Sequence, residues 1–368
     1  MMGIRDRSHR WPSKQLEAFA VIRTPNLGFF PATEGDIRLI RNSVRLVAAA
    51  AMAILFSPAN HAFAQDQAPS TPPPVAAPAA PAAAAAPAFP APDPADFTST
   101  TPSKETVNAF MQANLGFDSN NMWQVQAIQK TQLPGINRVV VFVGDKAGKQ
   151  QPYRFAFLTA PDGKHIMVGD RIMPFGDRPF EEYRQMMEQS ANGPYRGSAD
   201  KAIEFVEFAD FQCPHCKAAQ ANMDKLAADF PKARIVFQND PLPTIHPQSM
   251  LAAEYATCVA KLSGSTAFFQ FVAAVFDGQD GLATADGAAL TLNSAVTKTG
   301  LDPAKVAACA STPETKATVE ASMQLSKDLD ISSVPTLVVN GRQVPANAPY
   351  ETLKQIIEFQ LKSDGSGQ

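Results

Sequence analysis

Two cysteines separated by two residues, Cys213 and Cys216, follow an apolar run in the segment EFVEFADFQCPHCK (204–217). Such a pair can exchange disulfides with another protein, supply half of a metal site, or close a short structural disulfide. A structural zinc site needs four ligands, and the remaining cysteines, Cys258 and Cys309, lack the C-x-x-C spacing. A disulfide loop of four residues removes little entropy from the unfolded chain. We therefore favour a redox pair.

The residues around the pair indicate which sulfur is the nucleophile. The thiolate is the reactive form of cysteine. At the start of a helix, Cys213 would face unpaired backbone N–H groups and the positive end of the helix dipole. Pro214 suits the first helical turn, where its missing N–H would have no partner, and a protonated His215 would add positive charge. We expect Cys213 to attack, Cys216 to act as a buried resolving thiol, and the stabilised thiolate to make the disulfide a stronger oxidant.

Glu207 is an unexpected carboxylate in the apolar run before the cysteines. Strand alternation places it on the same face as Ile203 and Phe205, which are expected to be buried. Burial raises the pKa of a carboxyl group, so Glu207 could relay protons for Cys216. The alternative is that Glu207 points to a sheet edge or into a polar pocket.

Residues 200–363 must supply the elements that position these groups. The predicted elements are, in order, a strand (202–208), a helix that starts at the cysteines, a second strand (233–239), a helical stretch (about 247–329), a hairpin turning at Asn340-Gly341, and a closing helix. The strand–helix–strand order predicts that the first two strands are parallel. An Asn-Gly pair between apolar runs is typical of a tight hairpin turn.

A smaller folded module is predicted over residues 98–190. The segment TVNAFMQANLG has helical spacing, two apolar runs read as strands broken by turns, and the helical segment 178–191 connects to the next domain. This α+β module carries no cysteine. Its His165 lies beside a turn, where a solvated surface position is expected.

Residues 1–64 comprise an upstream extension and a predicted secretory signal peptide. Three arginines precede the apolar stretch LVAAAAMAILF (46–56), and the small residues Ala62 and Ala64 follow it. The alternative, a membrane anchor, is disfavoured because eleven apolar residues are too few to span a bilayer. We expect cleavage after Ala64 and export to the periplasm.

Export and composition limit the function classes. The formal net charge is −3, and no basic cluster suits nucleic acid, which is not an expected partner. All four cysteines lie in the exported part, where cysteine pairs are more often disulfides than metal ligands. Residues 65–97 are dominated by Pro and Ala, so we expect an extended tether there, or a leader without a function of its own.

The segment FADFQCPHCK resembles the active-site segment of the DsbA-like branch of the thioredoxin superfamily, whose C-P-H-C stands here at 213–216. Glu207 matches the buried carboxylate of that family. The resemblance implies an α/β thioredoxin fold with a helical insertion over 200–363. It also implies a cis-proline loop that faces the cysteines and pairs with substrate backbone, for which ISSVPTLVVNG offers Val334 and Pro335. A trans proline that begins a strand is the alternative.

The same resemblance bears on the other cysteines. Cys258 and Cys309 lie on predicted helices of the insertion and resemble the second, structural disulfide of some DsbA-like proteins; two buried free thiols are the alternative. The loop PLPTIHPQS (241–249) resembles a loop common in the branch with this extra disulfide. Its His246 is expected to be a surface or packing residue.

Residues 98–190 are similar to the N-terminal module of DsbC and DsbG type isomerases, which dimerises and holds two thioredoxin domains around a cleft. The sequence thus predicts a thiol–disulfide oxidoreductase that forms or isomerises disulfides in other exported proteins. The reaction needs no cofactor, but a redox partner must reset the cysteine pair. Homodimerisation through 98–190 is implied. The alternative is a periplasmic chaperone or metal-handling module with a secondary redox role.

Overall fold

The computed structural model describes residues 89–148 and 151–365. The predicted signal peptide, its cleavage point after Ala64 and most of the Pro/Ala-rich segment lie outside the described residues. The helices are α1 (Lys104–Leu115), α2 (Glu181–Ser190), α3 (Pro214–Asp229), α4 (Ser249–Asp277), α5 (Ala285–Lys298), α6 (Pro303–Ala310), α7 (Pro313–Asp328) and α8 (Tyr350–Ser363). The strands are β1 (Asn121–Lys130), β2 (Asn137–Asp145), β3 (Tyr153–Thr159), β4 (His165–Val168), β5 (Arg171–Pro174), β6 (Tyr195–Gly197), β7 (Glu204–Ala209), β8 (Arg234–Asn239), β9 (Thr336–Val339) and β10 (Arg342–Pro345).

The first sheet is an antiparallel meander in the order β1-β2-β3-β4-β5. Its turns contain Gly135 and Gly163, whose positive φ angles of 77° and 68° favour glycine. Helix α1 starts at Ser103, whose side chain accepts the N–H of Thr106. The apolar face of α1 packs on the sheet through Val107 and neighbouring residues. The predicted helix, strands and turns of this module therefore form.

The end of the Pro/Ala-rich segment packs on this sheet. The Phe89 ring lies 6.2 Å from the Phe142 ring, and Phe97 forms an isolated β-bridge with Ile128. Phe97 also contacts the module's core. The prediction of an extended tether over 65–97 therefore does not hold for residues 89–97, because their aromatic side chains find apolar partners.

The second sheet has the order β10-β9-β7-β8-β6. Strand β7 lies at its centre and is buried along its whole length. It pairs in parallel with β8, as predicted from the strand–helix–strand order, and antiparallel with β9. The β9–β10 hairpin turns at Asn340 and Gly341, whose φ angles of 45° and 91° are those of a primed turn. The short edge strand β6 was not predicted.

Helices cover both faces of the second sheet. Helices α3 and α8 pack on one face around Phe205 and Leu337. Helices α2 and α7 pack on the other face, where Met187 meets Val206 and Val338. The predicted connecting helix of 178–191 therefore forms as α2 and belongs to the packing of the second sheet.

The helical insertion consists of α4 to α7, and α4 to α6 share an apolar core with Phe211, Phe237 and Cys216. Gly264 interrupts α4 with a φ of 78°. Among the described residues, α4 is the helix long and apolar enough to cross a membrane, with a mean hydropathy of 1.4. Cys258, Phe268 and Phe271 of this helix are fully buried against the neighbouring helices. Its apolar character is therefore used in the core of the insertion.

Arg342 of β10 joins the first module to the second sheet. Its guanidinium donates to the carbonyls of Ala113 and Asn114 at the end of α1, at 2.7 and 2.6 Å. The same group lies over the rings of Phe117 and Phe180. Burial lowers the pKa of Arg342 to about 10. The positive charge is thus placed at the negative end of a helix dipole.

Candidate active site

Cys213 lies at the junction of β7 and α3. It is the N-cap of α3, with an extended backbone (φ −77°, ψ 120°), and Pro214 follows in the first helical turn. Cys216 lies one turn into the helix, where its N–H donates to the carbonyl of Cys213 at 3.1 Å. Cys213 is 5% exposed and Cys216 fully buried, and both are free thiols. This is the placement predicted for a nucleophilic and a resolving thiol.

The two thiols have opposite ionisation behaviour. A hydrogen bond with the Cys216 side chain lowers the pKa of Cys213 to about 6, helped by the backbone N–H groups of Cys216 and His215 and opposed by burial. Burial raises the pKa of Cys216, and the hydrogen bond with Cys213 adds to that rise. At neutral pH the thiolate therefore resides on Cys213.

The side chain of His215 is exposed, and His215 contributes to the lowered pKa of Cys213 through its backbone N–H rather than its ring. The imidazole whose positive charge contributes to that lowering belongs to His246. The predicted electrostatic effect of an imidazole is thus present, but it comes from a different residue than the sequence indicated.

Glu207 is buried on the face of β7 that α3 covers, with 2% of its surface exposed. Its carboxylate accepts a hydrogen bond from Gln220 Nε2 at 2.8 Å. Burial raises the pKa of Glu207 to about 7, against smaller opposing effects of Arg196 and Gln220. The negative charge of Glu207 in turn raises the pKa of Cys216. The carboxylate is therefore buried and coupled to the resolving thiol, rather than at a sheet edge.

Asp210 and His246 form a contact that the sequence did not reveal. The Asp210 side chain is completely buried and lies 2.8 Å from Nδ1 of His246. It also accepts the N–H of Gln212 at 2.7 Å and that of Leu242 at 2.8 Å. The backbone N–H of Asp210 donates to Cys216 Sγ at 3.4 Å. His246 is thus a packing residue, as expected, but it packs beside the cysteine pair.

Two glutamines hold the turn between β7 and α3. Gln279 is buried and donates from Nε2 to the carbonyls of Phe211 and Cys213, at 2.8 and 3.0 Å. Gln212 donates to the carbonyl of Leu282 and accepts the N–H of Gln248. The helical insertion therefore positions Cys213, the predicted nucleophile. These contacts join residues 36 to 70 positions apart, so no local sequence signal marks them.

The Val334–Pro335 peptide bond is cis, and its loop faces Cys213. The carbonyl oxygen of Val334 lies 3.9 Å from Cys213 Sγ. Pro335 is buried and Val334 half-buried. The structure thus brings together the predicted nucleophile and the two predicted substrate-binding residues.

The other two cysteines form a disulfide between α4 and α6. Cys258 and Cys309 are joined at an S–S distance of 2.02 Å, with Cα atoms 5.9 Å apart. This is the pairing that the DsbA-like resemblance implied. The predicted surface histidine, His165, is partly exposed and pairs with the exposed carboxylates of Asp162 and Glu182 in the first module. Within the described ranges, no three His, Cys, Asp or Glu side chains are arranged to hold a metal ion.

Residues 189–359 match the family model described as Thioredoxin. This match and the sheet topology confirm the predicted α/β thioredoxin fold with a helical insertion, preceded by a small α+β module. The DsbA-like resemblance of the C-P-H-C segment agrees with this match to the thioredoxin family. The similarity of residues 98–190 to isomerase modules stays a prediction.

Curated relatives match through part of their length. Over 161 residues the chain is 29% identical to the Na(+)/H(+) antiporter NhaA 3 of Salinispora tropica, covering 42% of this chain and 22% of that protein. Over 92 residues it is 35% identical to the Na(+)/H(+) antiporter NhaA 1 of Mycolicibacterium vanbaalenii, covering 25% and 14%. The chain thus spans less than a quarter of the length of the curated relatives it matches.

Solved structures with partial similarity to the chain include a protein described as a thiol-disulfide exchange protein. Oxidised BdbD from Bacillus subtilis is 25% identical, with 46% of this chain and 93% of that chain covered and a TM-score of 0.40. The thiol-disulfide exchange protein alpha-DsbA2 from Wolbachia pipientis is 20% identical, with 48% and 95% covered and a TM-score of 0.42. ScsC from Proteus mirabilis in a transitional conformation is 22% identical, with 49% and 76% covered and a TM-score of 0.41.

Proposed function

We propose that the protein is an exported thiol–disulfide oxidoreductase that forms disulfides in other exported proteins. The observation that carries this proposal is the opposite ionisation of two thiols in contact. The pKa of Cys213 is lowered to about 6, while that of Cys216 is raised. A stabilised Cys213 thiolate favours the reduced pair, which makes the disulfide form an oxidant.

The oxidising reaction begins with the Cys213–Cys216 disulfide. A substrate thiolate attacks the sulfur of Cys213, a mixed disulfide forms, and Cys216 leaves as a thiolate. A second substrate thiolate then attacks the substrate sulfur of the mixed disulfide and releases the Cys213 thiolate. The substrate gains a disulfide, and its two electrons remain on the reduced cysteine pair.

The leaving Cys216 thiolate must take up a proton, because burial disfavours its charge. We assign this proton to Glu207, a buried carboxyl whose charge acts on Cys216 and whose pKa is raised to about 7. A carboxyl group with a pKa near the working pH can both give and accept a proton. In the reverse direction Glu207 would accept the proton of Cys216.

The cis-proline loop is assigned to substrate binding. The backbone of Val334 lies beside Cys213, so an extended substrate chain can pair with it while its cysteine meets the nucleophile. A two-electron acceptor must reoxidise the pair, and we assign this role to a redox partner that docks on the same face.

A periplasmic location is supported by two features of the chain. The predicted signal peptide ends at Ala64, and disulfides such as Cys258–Cys309 persist in oxidising compartments. The substrates are accordingly exported proteins that carry thiols.

Disulfide isomerisation is the second candidate function, and the surface of the first module favours it. Leu158, Met167 and Ile172 lie directly opposite one another on adjacent strands, with Leu158 36% and Ile172 63% exposed. We propose this apolar row as the contact of a homodimer through residues 98–190. Reduced Cys213 would attack a wrong substrate disulfide, and Cys216 would release stalled intermediates. Ile172→Glu should then abolish the dimer in sedimentation experiments.

The function is tested by oxidative refolding of a reduced, unfolded protein. Wild type should accelerate disulfide formation, while Cys213→Ser should have no effect and His165→Gln should match wild type. Equal activity of wild type and Cys213→Ser would reject the redox function. Suppression of aggregation that persists in Cys213→Ser would then favour the chaperone alternative. The reduction potential of the Cys213–Cys216 pair decides between oxidation and isomerisation, because a strongly oxidising potential favours disulfide formation.

A further inference from the structure

The region behind the cysteine pair contains a buried charge pair that the reaction above does not use. Asp210 follows the last residue of β7, and His246 lies in the loop between β8 and α4. The side chain of Asp210 is completely buried and that of His246 is 17% exposed. The connection of this pair to both cysteines makes it the strongest unassigned feature of the site.

The contacts of Asp210 hold the imidazole in one orientation. Its carboxylate accepts the N–H groups of Gln212 and Leu242 and faces His246 Nδ1 at 2.8 Å. Because a carboxylate accepts hydrogen bonds, Nδ1 carries a proton in this contact. Nε2 has no hydrogen-bond partner among the described residues, and the partial exposure of the ring lets it exchange a proton with solvent.

Each member of the pair acts on one cysteine. The backbone N–H of Asp210 donates to Cys216 Sγ at 3.4 Å. A positive charge on the His246 ring, which Asp210 holds in place, adds to the hydrogen bonds that lower the pKa of Cys213. A hydrogen bond and a fixed cation of this kind both favour the ionised form of a thiol.

Other ionisable groups also face this region. Asp240, at the end of β8, is buried and receives a hydrogen bond from Ser326 of α7 at 2.6 Å. The charge of Asp210 acts on Asp240, and Lys327 of α7 opposes that effect. Glu207 acts on Cys216 from β7. His246 therefore faces Asp210 in a region that also contains the carboxyl groups of Asp240 and Glu207.

We propose that Asp210 and His246 are positioning residues that set the charge balance of the redox pair, Asp210 holding the imidazole and His246 stabilising the Cys213 thiolate. This inference rests on the proposed function, because a stabilised thiolate matters only if Cys213 exchanges disulfides. It assigns to the loop between β8 and α4 a part of the redox tuning that the C-P-H-C segment alone does not provide.

The test follows the ionisation of Cys213 through the ultraviolet absorbance of its thiolate as pH is varied. In His246→Gln, the equilibrium constant for thiolate formation should fall about threefold to tenfold, the effect of one nearby charge. His246→Lys, which keeps a positive charge facing Asp210, should retain most of the wild-type value. His165→Gln, the same substitution in the first module, should leave it unchanged. An unchanged constant in His246→Gln, or an equal loss in Gln and Lys variants, overturns the proposal.

The role of Asp210 is tested by a double-mutant cycle. If Asp210 holds the imidazole, His246→Gln should have a smaller effect in the Asp210→Asn background than in wild type. Additive effects of the two substitutions on Cys213 ionisation would show that Asp210 and His246 act independently, which would reject the proposal that Asp210 holds the imidazole. Circular dichroism verifies the folding of each variant.

A measurement on the unmutated protein covers the case in which His246→Gln does not fold. The ring signals of His246, assigned by elimination with Gln variants of the other four histidines, are followed by NMR in the dithiol and disulfide forms. As the Cys213 thiolate forms near pH 6, the ring signals of His246 should shift in the dithiol form by a step that the disulfide form lacks. Identical pH profiles of these signals in the two forms overturn the proposal. These experiments measure the ionisation of thiols and rings, so they are independent of the refolding assay. Lack of Cys213-dependent refolding activity rejects the proposed function. Normal refolding activity with unchanged ionisation of Cys213 and unchanged His246 signals rejects only the proposed role of Asp210 and His246.

Discussion

The side-chain amide of Gln220 donates to the Glu207 carboxylate at 2.8 Å and lies 3.3 Å from the carbonyl oxygen of Cys216. One amide therefore connects the buried carboxyl of β7 to the backbone of the resolving cysteine. This contact keeps Glu207 beside α3 and explains how a carboxylate is accommodated in an otherwise apolar layer of the core.

Glu207→Gln should make the stability of the protein less dependent on pH. Burial raises the pKa of Glu207 in the folded state to about 7, above its ordinary value of 4.5, so the folded state binds the proton more tightly. The contribution is favourable below pH 4.5 and is lost as pH rises through 7. We expect the oxidised Gln variant to equal wild type at pH 4 and to exceed it by on the order of 3 kcal/mol at pH 8.

Urea denaturation of both oxidised proteins at several pH values measures this difference, with Glu358→Gln at an exposed position of α8 as the control. A pH-independent difference between Glu207→Gln and wild type would contradict the raised pKa. The Gln variant should also slow the return of the proton to Cys216, which stopped-flow measurement of substrate oxidation detects.

The two active-site thiols should differ in their reactivity towards iodoacetamide. The pKa of Cys213 is lowered to about 6, so its alkylation rate should reach half of its maximum near that pH. Cys216 should resist alkylation because it is fully buried and its pKa is raised. Mass spectrometry of the labelled peptides checks both statements. Labelling of Cys216 ahead of Cys213 would reverse the assigned roles.

Removal of the second disulfide should lower stability without changing the redox pair. Cys258 and Cys309 are separated by 51 positions, and closing such a loop stabilises the fold by about 4 kcal/mol on the chain-entropy model. The double alanine variant should lose about this much free energy of unfolding. Its Cys213 alkylation profile should match that of wild type. A shifted profile would show that the disulfide also tunes the active site.

Arg342→Met should weaken the attachment of α1 to the second sheet. The variant loses two charge-assisted hydrogen bonds to the carbonyls of Ala113 and Asn114, and we expect a cost of about 2 to 4 kcal/mol. Arg342→Lys should recover only part of it, because an ammonium lacks the planar fork that meets two carbonyls and stacks on rings. Limited proteolysis should cut Arg342→Met near residue 117 before wild type. Equal resistance would contradict this role.

The features that could be predicted from the sequence are those set by neighbouring residues. The start of α3 follows from Cys213 and Pro214, because a proline in the first turn needs no hydrogen-bond partner for its nitrogen. The β9–β10 hairpin follows from Asn340-Gly341, since these residues tolerate positive φ. The burial of Glu207 follows from strand alternation. These signals depend only on residues close together in the sequence, so they can be recognised without the folded structure.

Features that join distant parts of the chain could not be predicted in this way. Strand β6 has three residues and forms only because β8 offers an edge. The tail at residues 89–97 packs because the first sheet presents Phe142 and Ile128. A Pro/Ala-rich composition predicts an extended chain, and it does not show which of its aromatic residues will find a partner.

The sequence by itself indicated the kind of chemistry, because two cysteines at C-x-x-C spacing at a helix start are typical of a nucleophile and a resolving thiol. Only the tertiary structure decided which other groups act on them. Asp210 meets His246 from 36 residues away, and Gln279 reaches Cys213 from 66 residues away. These contacts arise where a strand end, a loop and a helical insertion converge, and electrostatic forces depend on such distances in space rather than on separation along the chain.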